Sequence, residues 1–389
     1  MISSVVPTPR SSVARVTTEI LLALIGVALI AVAVGANQAW LDRHFLPSFL
    51  LPRRLYVRLE TVVRLALATI GVLLAFVARP RAGRMAAQTS VHPLRIAIAV
   101  VLALGASELV LDRAYDRAGQ SRWMREEPRR QPDPRLGWTF VPARTGRGTV
   151  GGRTIEYAID AAGYRVRRAD EPVDHRRPTI VFTGESVMFG DGLTWEESIP
   201  AQVGAMMGLQ SANLAVHGFG TDQAYLRLQM ELPRFRRPVA IVSLFMTSLF
   251  GRNLESERPH LGPGLVWLPA VRRSHLESLA RLLVFYHSED VIERGVTMTR
   301  EVLRATVELA RARGATPLIV VPQYGKEEGP ELALRRRILD GTGVPYVFAE
   351  IDPAWHLPWD RHPNARAAHT IAAAIADRLR GHDPLVSAK

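Results

Sequence analysis

From Pro178 to Arg380 short apolar runs alternate with longer helix-like segments, and this alternation decides most of what the chain can fold into. The strand-like runs are residues 179–183, 212–216, 239–245, 317–321 and 345–348, and the helix-like segments are 195–207, 221–231, 276–285, 290–313, 331–339 and 364–380. Strands that are apolar nearly throughout need cover on both faces, and strands separated by helices run parallel. The expectation is an α/β fold, a flavodoxin-like three-layer sandwich with a parallel sheet. The loops leaving the carboxyl ends of such strands open on one common edge.

Ahead of this region the chain has another character. Residues 20–36 form an uninterrupted apolar run, close to the ~20 residues that cross a bilayer, and runs at 65–78 and 96–111 follow. Arg10 and Arg15 precede the first run and no small-residue cleavage site follows it, so it reads as an uncleaved anchor. Arg64 borders the second and would have to snorkel if that segment spans; Ser107 and Glu108 interrupt the third near its end. Three spans with the N-terminus inside place everything after residue 113 outside the cytoplasm, whereas a middle run lying in the interface inverts the topology. Of the net charge of +12, residues 1–135 hold most, with 18 Arg against 9 acids. That excess flanks apolar runs, which points to a membrane as partner and argues against a nucleic-acid face.

The expected organisation is a membrane region over 1–113, a charged, proline-bearing linker over 114–135, a small β-rich lead-in over 136–175, and the main domain over 176–385. Residues 262–269 read as an inserted loop near the top of the sheet, either a substrate-side lid or a surface excursion. With no cysteine in 389 residues, disulfides, thiol nucleophiles and Cys-ligated metals are excluded.

The stretch with the most chemistry follows the first strand-like run, as Gly184-Glu-Ser-Val-Met-Phe-Gly-Asp-Gly192. Gly184 permits a sharp turn, which leaves the Ser186 hydroxyl at the carboxyl end of a strand with its own backbone N–H free to donate. A serine nucleophile needs a base, a group that orients the base, and donors for an oxyanion. Trp359-Asp-Arg-His-Pro-Asn364, just before the last helix, supplies His362 and, two residues earlier, Asp360. Asn364 is placed to cap that helix. The segment after the second strand, Asn213 to Gln223, offers a flexible backbone at Gly218 and Gly220; the segment after the third offers Thr247, Ser248 and Asn253, each of which also suits a local turn.

Taken together, Gly-Glu-Ser, Asn…Gly, a polar pair after the third strand and Asp-x-His-Pro-Asn resemble the SGNH/GDSL hydrolase family, over roughly residues 135–381 and including the lead-in Pro-Asp-Pro-Arg-Leu-Gly-Trp found in membrane-attached members. The resemblance implies an ester-hydrolysing or acyl-transferring site with no metal and no organic cofactor. Ser186 would be nucleophile and first oxyanion donor, Gly218 the second, and His362 the base oriented by Asp360. The chain departs from the family pattern in three places. Glu185 replaces the usual Asp, the Asp-to-His spacing is one residue short, which makes Asp352 the reserve orienter, and Thr247 stands where an oxyanion Asn is usual. Asn253 could support such a site from the same loop. Loss of one oxyanion donor typically costs about 10²–10³ in turnover.

Three functions follow as expectations. The first is a membrane-anchored esterase acting on an O-acyl or O-acetyl group of a cell-envelope glycan or lipid. The second is an O-acyltransferase using the same residues, which would require a partner membrane protein. The third is a non-catalytic binding domain on a degenerate hydrolase fold. Other chemistries lack their motifs: Met188 breaks a Gly-x-Ser-x-Gly elbow, no Gly-Lys-Ser/Thr phosphate loop occurs, and no His-Glu-x-x-His spacing is present.

Overall fold

The protein is seen in a computed structural model that describes residues 9–47, 53–88, 92–271, 274, 275, 277, 286–327 and 329–381. It divides into two compact units, one of residues 1–118 with 273–289, the other of 119–272 with 290–389. The expected helix over 276–285 lies, apart from residue 277, outside the described residues.

The first unit is helical. Pro9–Gly35 is one helix, and Arg53–Val72 continues through a π-helical turn, Leu73–Ala78, into Arg79–Gln88. Val13–Gly35 and Val57–Ala87 are each long and apolar enough to cross a membrane. These helices meet at Gly26 and Gly71: a Cβ on Gly26 would stand 2.6 Å from the Gly71 carbonyl oxygen, so only small residues fit the crossing. Arg64 donates to the Ala33 carbonyl at 2.7 Å, near the end of the first helix, and lies 3.7 Å from Glu60. The third apolar run lies in a 34-residue helix, His92–Arg125. That helix runs through the first half of the expected linker, since Arg, Ala, Gln and Met are good helix formers and no proline intervenes before Pro128.

The second unit contains the sheet. Its strands are β1 (Arg130–Asp133), β2 (Gly137–Phe140), β3 (Arg144–Val150), β4 (Arg153–Ile159), β5 (Arg165–Val166), β6 (Pro178–Thr183), β7 (Gln210–Asn213), β8 (Arg237–Leu244), β9 (Thr316–Tyr324) and β10 (Tyr346–Ile351). The helices are α1 (Ser186–Phe189), α2 (Ile199–Met207), α3 (Thr221–Glu231), α4 (Glu289–Ala312), α5 (Gly329–Leu339) and α6 (Ala365–Arg380). An eight-stranded sheet has the order β10-β9-β8-β6-β7-β5-β4-β3. The first five strands are parallel, with β6 inside and the flavodoxin-like order; the β-rich lead-in adds β5, β4 and β3 antiparallel at one edge.

Side-chain alternation sets the two faces. Val181 is in register with Ala212 and Ile241, and the three share a buried cluster with Leu228 of α3 and Ala310 of α4. Their neighbours Ile180, Phe182, Ala240, Val242, Leu318 and Val320 pack oppositely, with Ile199 and Val203 of α2 and Ile371 and Ile375 of α6. Burying each large side chain of this kind stabilises the fold by about 1.5–3 kcal/mol. Most element boundaries differ from expectation by one to four residues, and two of them have a plain local reading. α2 begins at Ile199 because Pro200 fits only a first helical turn and Ser198 precedes it as cap residue. β7 ends at Asn213, although Leu214 and Val216 still donate to the Phe182 and Gly184 carbonyls at 2.8 and 3.2 Å. Residues 262–269 form most of a short ribbon in which His260–Leu261 pairs with Trp267–Leu268.

Candidate active site

The parallel strands send their carboxyl-end loops to one edge, and there the nucleophile turn is built first. Gly184 has φ +152°, and a Cβ on it would stand 2.9 Å from the Leu244 Cβ and 3.1 Å from that of Met188; the turn tolerates no larger residue. Glu185 is the N-cap of α1 and accepts from Val187 N at 3.0 Å. Ser186, 4 % exposed, opens the helix and donates its hydroxyl to the other Glu185 oxygen. Arg252 donates to that same oxygen at 3.2 Å and to the Phe219 carbonyl at 3.3 Å, tying the nucleophile turn to the loop after β7.

The base loop leaves β10. Asp360 Oδ1 accepts from His362 N at 2.8 Å and also meets His362 Nδ1, so one carboxylate oxygen fixes both backbone and ring. The shortened Asp-x-His spacing is what allows this tight turn. Leu357 N donates to the His362 carbonyl at 2.9 Å and Asn364 N to the Trp355 carbonyl at 3.0 Å, closing the loop at its neck. The reserve orienter Asp352 accepts from Ala354 N at 2.8 Å in a turn of its own. The far nitrogen of His362, Nε2, lies 3.8 Å from Asp191 Oδ2. Among the described residues no hydrogen bond joins Ser186 to His362, since the hydroxyl is turned to Glu185 and the ring to Asp191. Such bonds are often long in unliganded sites and tighten when substrate binds.

The expected oxyanion donors divide. Gly218 adopts φ +82°, and a Cβ there would stand 3.1 Å from the Trp138 ring. Neither its N–H nor that of Ser186 meets an acceptor among the described residues. Thr247 is 1 % exposed and its hydroxyl is likewise without a partner among them. Asn253 is committed elsewhere: its amide donates to Thr221 Oγ1 at 3.0 Å and Thr299 Oγ1 at 2.9 Å, and its oxygen accepts from Thr221 N at 2.9 Å. It clamps the start of α3 to the middle of α4 instead of facing an oxyanion.

Four residues with no assigned role in the sequence reading also meet here. Asp191 lies between His217 Nδ1 at 3.5 Å and His362 Nε2. Arg165, 1 % exposed, donates to the carbonyls of Phe189 at 2.6 Å, Gly190 at 2.7 Å and Leu193 at 2.5 Å. Burial brings the Arg165 guanidinium down to about 10. The Tyr324 phenol, at the end of β9, is pushed up by burial and by the charge of Glu185, and its ring stacks on His356 with centroids 3.8 Å apart. Asp191 and His217 stood inside motifs visible in the sequence; Arg165 and Tyr324 carried no local signal. The described residues contain no group of three or more His, Asp or Glu that could hold a metal ion.

No family model matches the chain, and no curated protein matches it. Among solved structures it is similar to a putative arylesterase from Agrobacterium tumefaciens, at 14 % identity and TM-score 0.34 over 52 % of this chain and 99 % of that one. It is similar to a putative lipolytic protein of the G-D-S-L family from Desulfitobacterium hafniense, at 12 % identity and TM-score 0.34 over 52 % and 98 %. A carbohydrate acetylesterase from Sinorhizobium meliloti matches at 12 % identity and TM-score 0.35 over 53 % and 99 %.

Proposed function

We propose that this chain is a membrane-anchored serine ester hydrolase whose substrate is an O-acyl group on a cell-envelope glycan or lipid. The observation that carries the reading is His362: its Nδ1 is held by Asp360 and its Nε2 lies 3.8 Å from Asp191, two residues beyond the helix that Ser186 opens. Rotation of the Ser186 hydroxyl away from Glu185 frees it to give its proton to Nε2. Its oxygen then attacks the acyl carbon, and the N–H groups of Ser186 and Gly218, with the Thr247 hydroxyl, receive the oxyanion. The imidazolium protonates the leaving alcohol, and water repeats the sequence to release the acid. Two apolar helices ahead of this domain support the anchor; the outer side of the membrane is our reading for the site, and it takes the apolar run over 96–111 as a third span.

The test is acetate release from O-acetylated glycan by the purified full chain, lost in Ser186→Ala. Transfer of the acyl group to an added sugar acceptor would instead establish the transferase. A second reading, a non-catalytic binding domain, draws on the engagement of the Ser186 hydroxyl by Glu185. It requires that Ser186→Ala leave glycan binding and phenotype intact.

A further inference from the structure

Asp191 follows the nucleophile helix by two residues, and its backbone N–H donates to the Ser186 carbonyl at 3.1 Å. It therefore moves with the serine. Its side chain, 12 % exposed, turns one oxygen to two imidazoles: His217 Nδ1 at 3.5 Å and His362 Nε2 at 3.8 Å. His217 immediately precedes Gly218. Its ring lies edge-on to Phe140, with centroids 5.2 Å apart, and its backbone carbonyl accepts from Trp138 Nε1 at 3.1 Å, so it is fixed from both sides. The loop bearing Asp191 is itself clamped by Arg165 through the Phe189, Gly190 and Leu193 carbonyls. Burial alone would push the Asp191 carboxyl up. The charge and hydrogen bond of His217, followed by His362 and Arg165, more than offset this and hold it below the usual carboxylate range, so it is an anion at neutral pH.

We infer that Asp191 is a positioning residue for the base, a second carboxylate acting on His362 opposite Asp360, with His217 as its support. This inference rests on the serine-hydrolase reading. In the acylation step the Ser186 O–H bond breaks and its proton goes to His362 Nε2. The oxygen's electron pair forms the bond to the acyl carbon, and the carbonyl π pair moves onto oxygen. The cation created by that transfer appears at the ring edge that Asp191 faces. An anion fixed there favours the charge-separated state over the neutral one, and it ties the height of the imidazole to the loop that carries the nucleophile.

The experiment compares full-length wild type, Asp191→Asn, Asp191→Glu and His217→Leu in detergent. Active sites are titrated with a fluorophosphonate, and kcat and KM for p-nitrophenyl acetate are then measured per titrated site. Asp191→Asn is expected to lower kcat per site by about 10- to 100-fold with KM within about twofold, the scale of impaired general-base catalysis. Asp191→Glu, which restores the anion, should recover part of the loss. His217→Leu, which leaves the carboxylate in place but removes its support, should lose a smaller factor. A residue that only held the fold would reduce the number of titrated sites and leave kcat per site unchanged, and that result overturns the inference while the hydrolase reading stands. Should Asp191→Asn yield no folded protein, an unchanged kcat per site in His217→Leu overturns it equally. Wild type that neither titrates nor turns over removes the hydrolase reading and this inference with it.

Discussion

Arg165 Nη1 donates to the Gly190 carbonyl at 2.7 Å, from a side chain that is 1 % exposed. The same guanidinium reaches Phe189 and Leu193 and lies 4.9 Å from the ring centroids of both Tyr157 and Phe189. One strand of the antiparallel lead-in thus helps to close the carboxyl end of the nucleophile helix, where Asn213 Nδ2 also donates to the Met188 and Phe189 carbonyls at 3.2 Å. Arg165→Met leaves the Leu193 carbonyl without its donor and removes one of two donors from each of the Phe189 and Gly190 carbonyls; it is expected to cost about 1–3 kcal/mol, read as a lowered urea midpoint in detergent. Arg165→Lys should not rescue, because one ammonium cannot span the three carbonyls.

Gly184→Ala tests the turn itself. The added methyl meets Leu244 and Met188 at 2.9 and 3.1 Å on a backbone with φ +152°. The sheet must give way locally, and a loss of about 2–4 kcal/mol is expected, together with loss of Ser186 reactivity at temperatures where the protein remains folded. Unchanged melting and unchanged reactivity would show that the turn is looser than these contacts require.

Asn364 accepts from Arg366 N and Ala367 N, both at 3.0 Å, and so caps the helix that follows the base loop. Asn364→Ala should cost about 1 kcal/mol and Asn364→Asp almost nothing, as measured by thermal melting.

The Asp191 carboxyl gives a pH signature in stability. Its folded pKa lies below the unfolded one, so its contribution is fully present above the ordinary carboxylate value of about 4 and is lost as pH falls through the folded value. The melting temperature of wild type should exceed that of Asp191→Asn by a few degrees near neutrality, and the gap should close in acid. A gap that is constant down to low pH would mean that the carboxylate is not held by the histidines.

The proposed outward placement of the domain has a direct readout. Lys326 and Lys389 are the only lysines, and Lys326 is exposed just after β9. A membrane-impermeant amine reagent applied to intact cells should modify Lys326, and Lys326→Arg should abolish that modification. Labelling of Lys326 only after lysis would reverse the topology.

The sequence carried the sheet well because period and apolar content are local: each of the five parallel strands overlaps a run visible by inspection, and β6 extends the expected run by one residue. Ser186, Asp360 and His362 were visible for the same reason, each within a short motif. What could not be read was contact between loops. The pairing of Asp191 with His217 joins the turns after β6 and β7, and Arg165 acts on carbonyls of a segment distant in sequence. Asn253 shows the converse: a polar residue in the right loop whose amide is consumed by Thr221 and Thr299, partners that only tertiary packing brings within reach. The helix through Arg125 was obscured because charge density and later prolines suggested a linker, whereas the intervening residues favour helix.

The central claim is that Ser186 is a nucleophile activated by His362, and covalent modification by a fluorophosphonate followed by peptide mapping tests it most directly. The account predicts one modified residue, Ser186, with labelling abolished in Ser186→Ala and slowed at least about 100-fold in His362→Ala. Folded wild-type protein that takes up no label, or label that persists in Ser186→Ala, would contradict it.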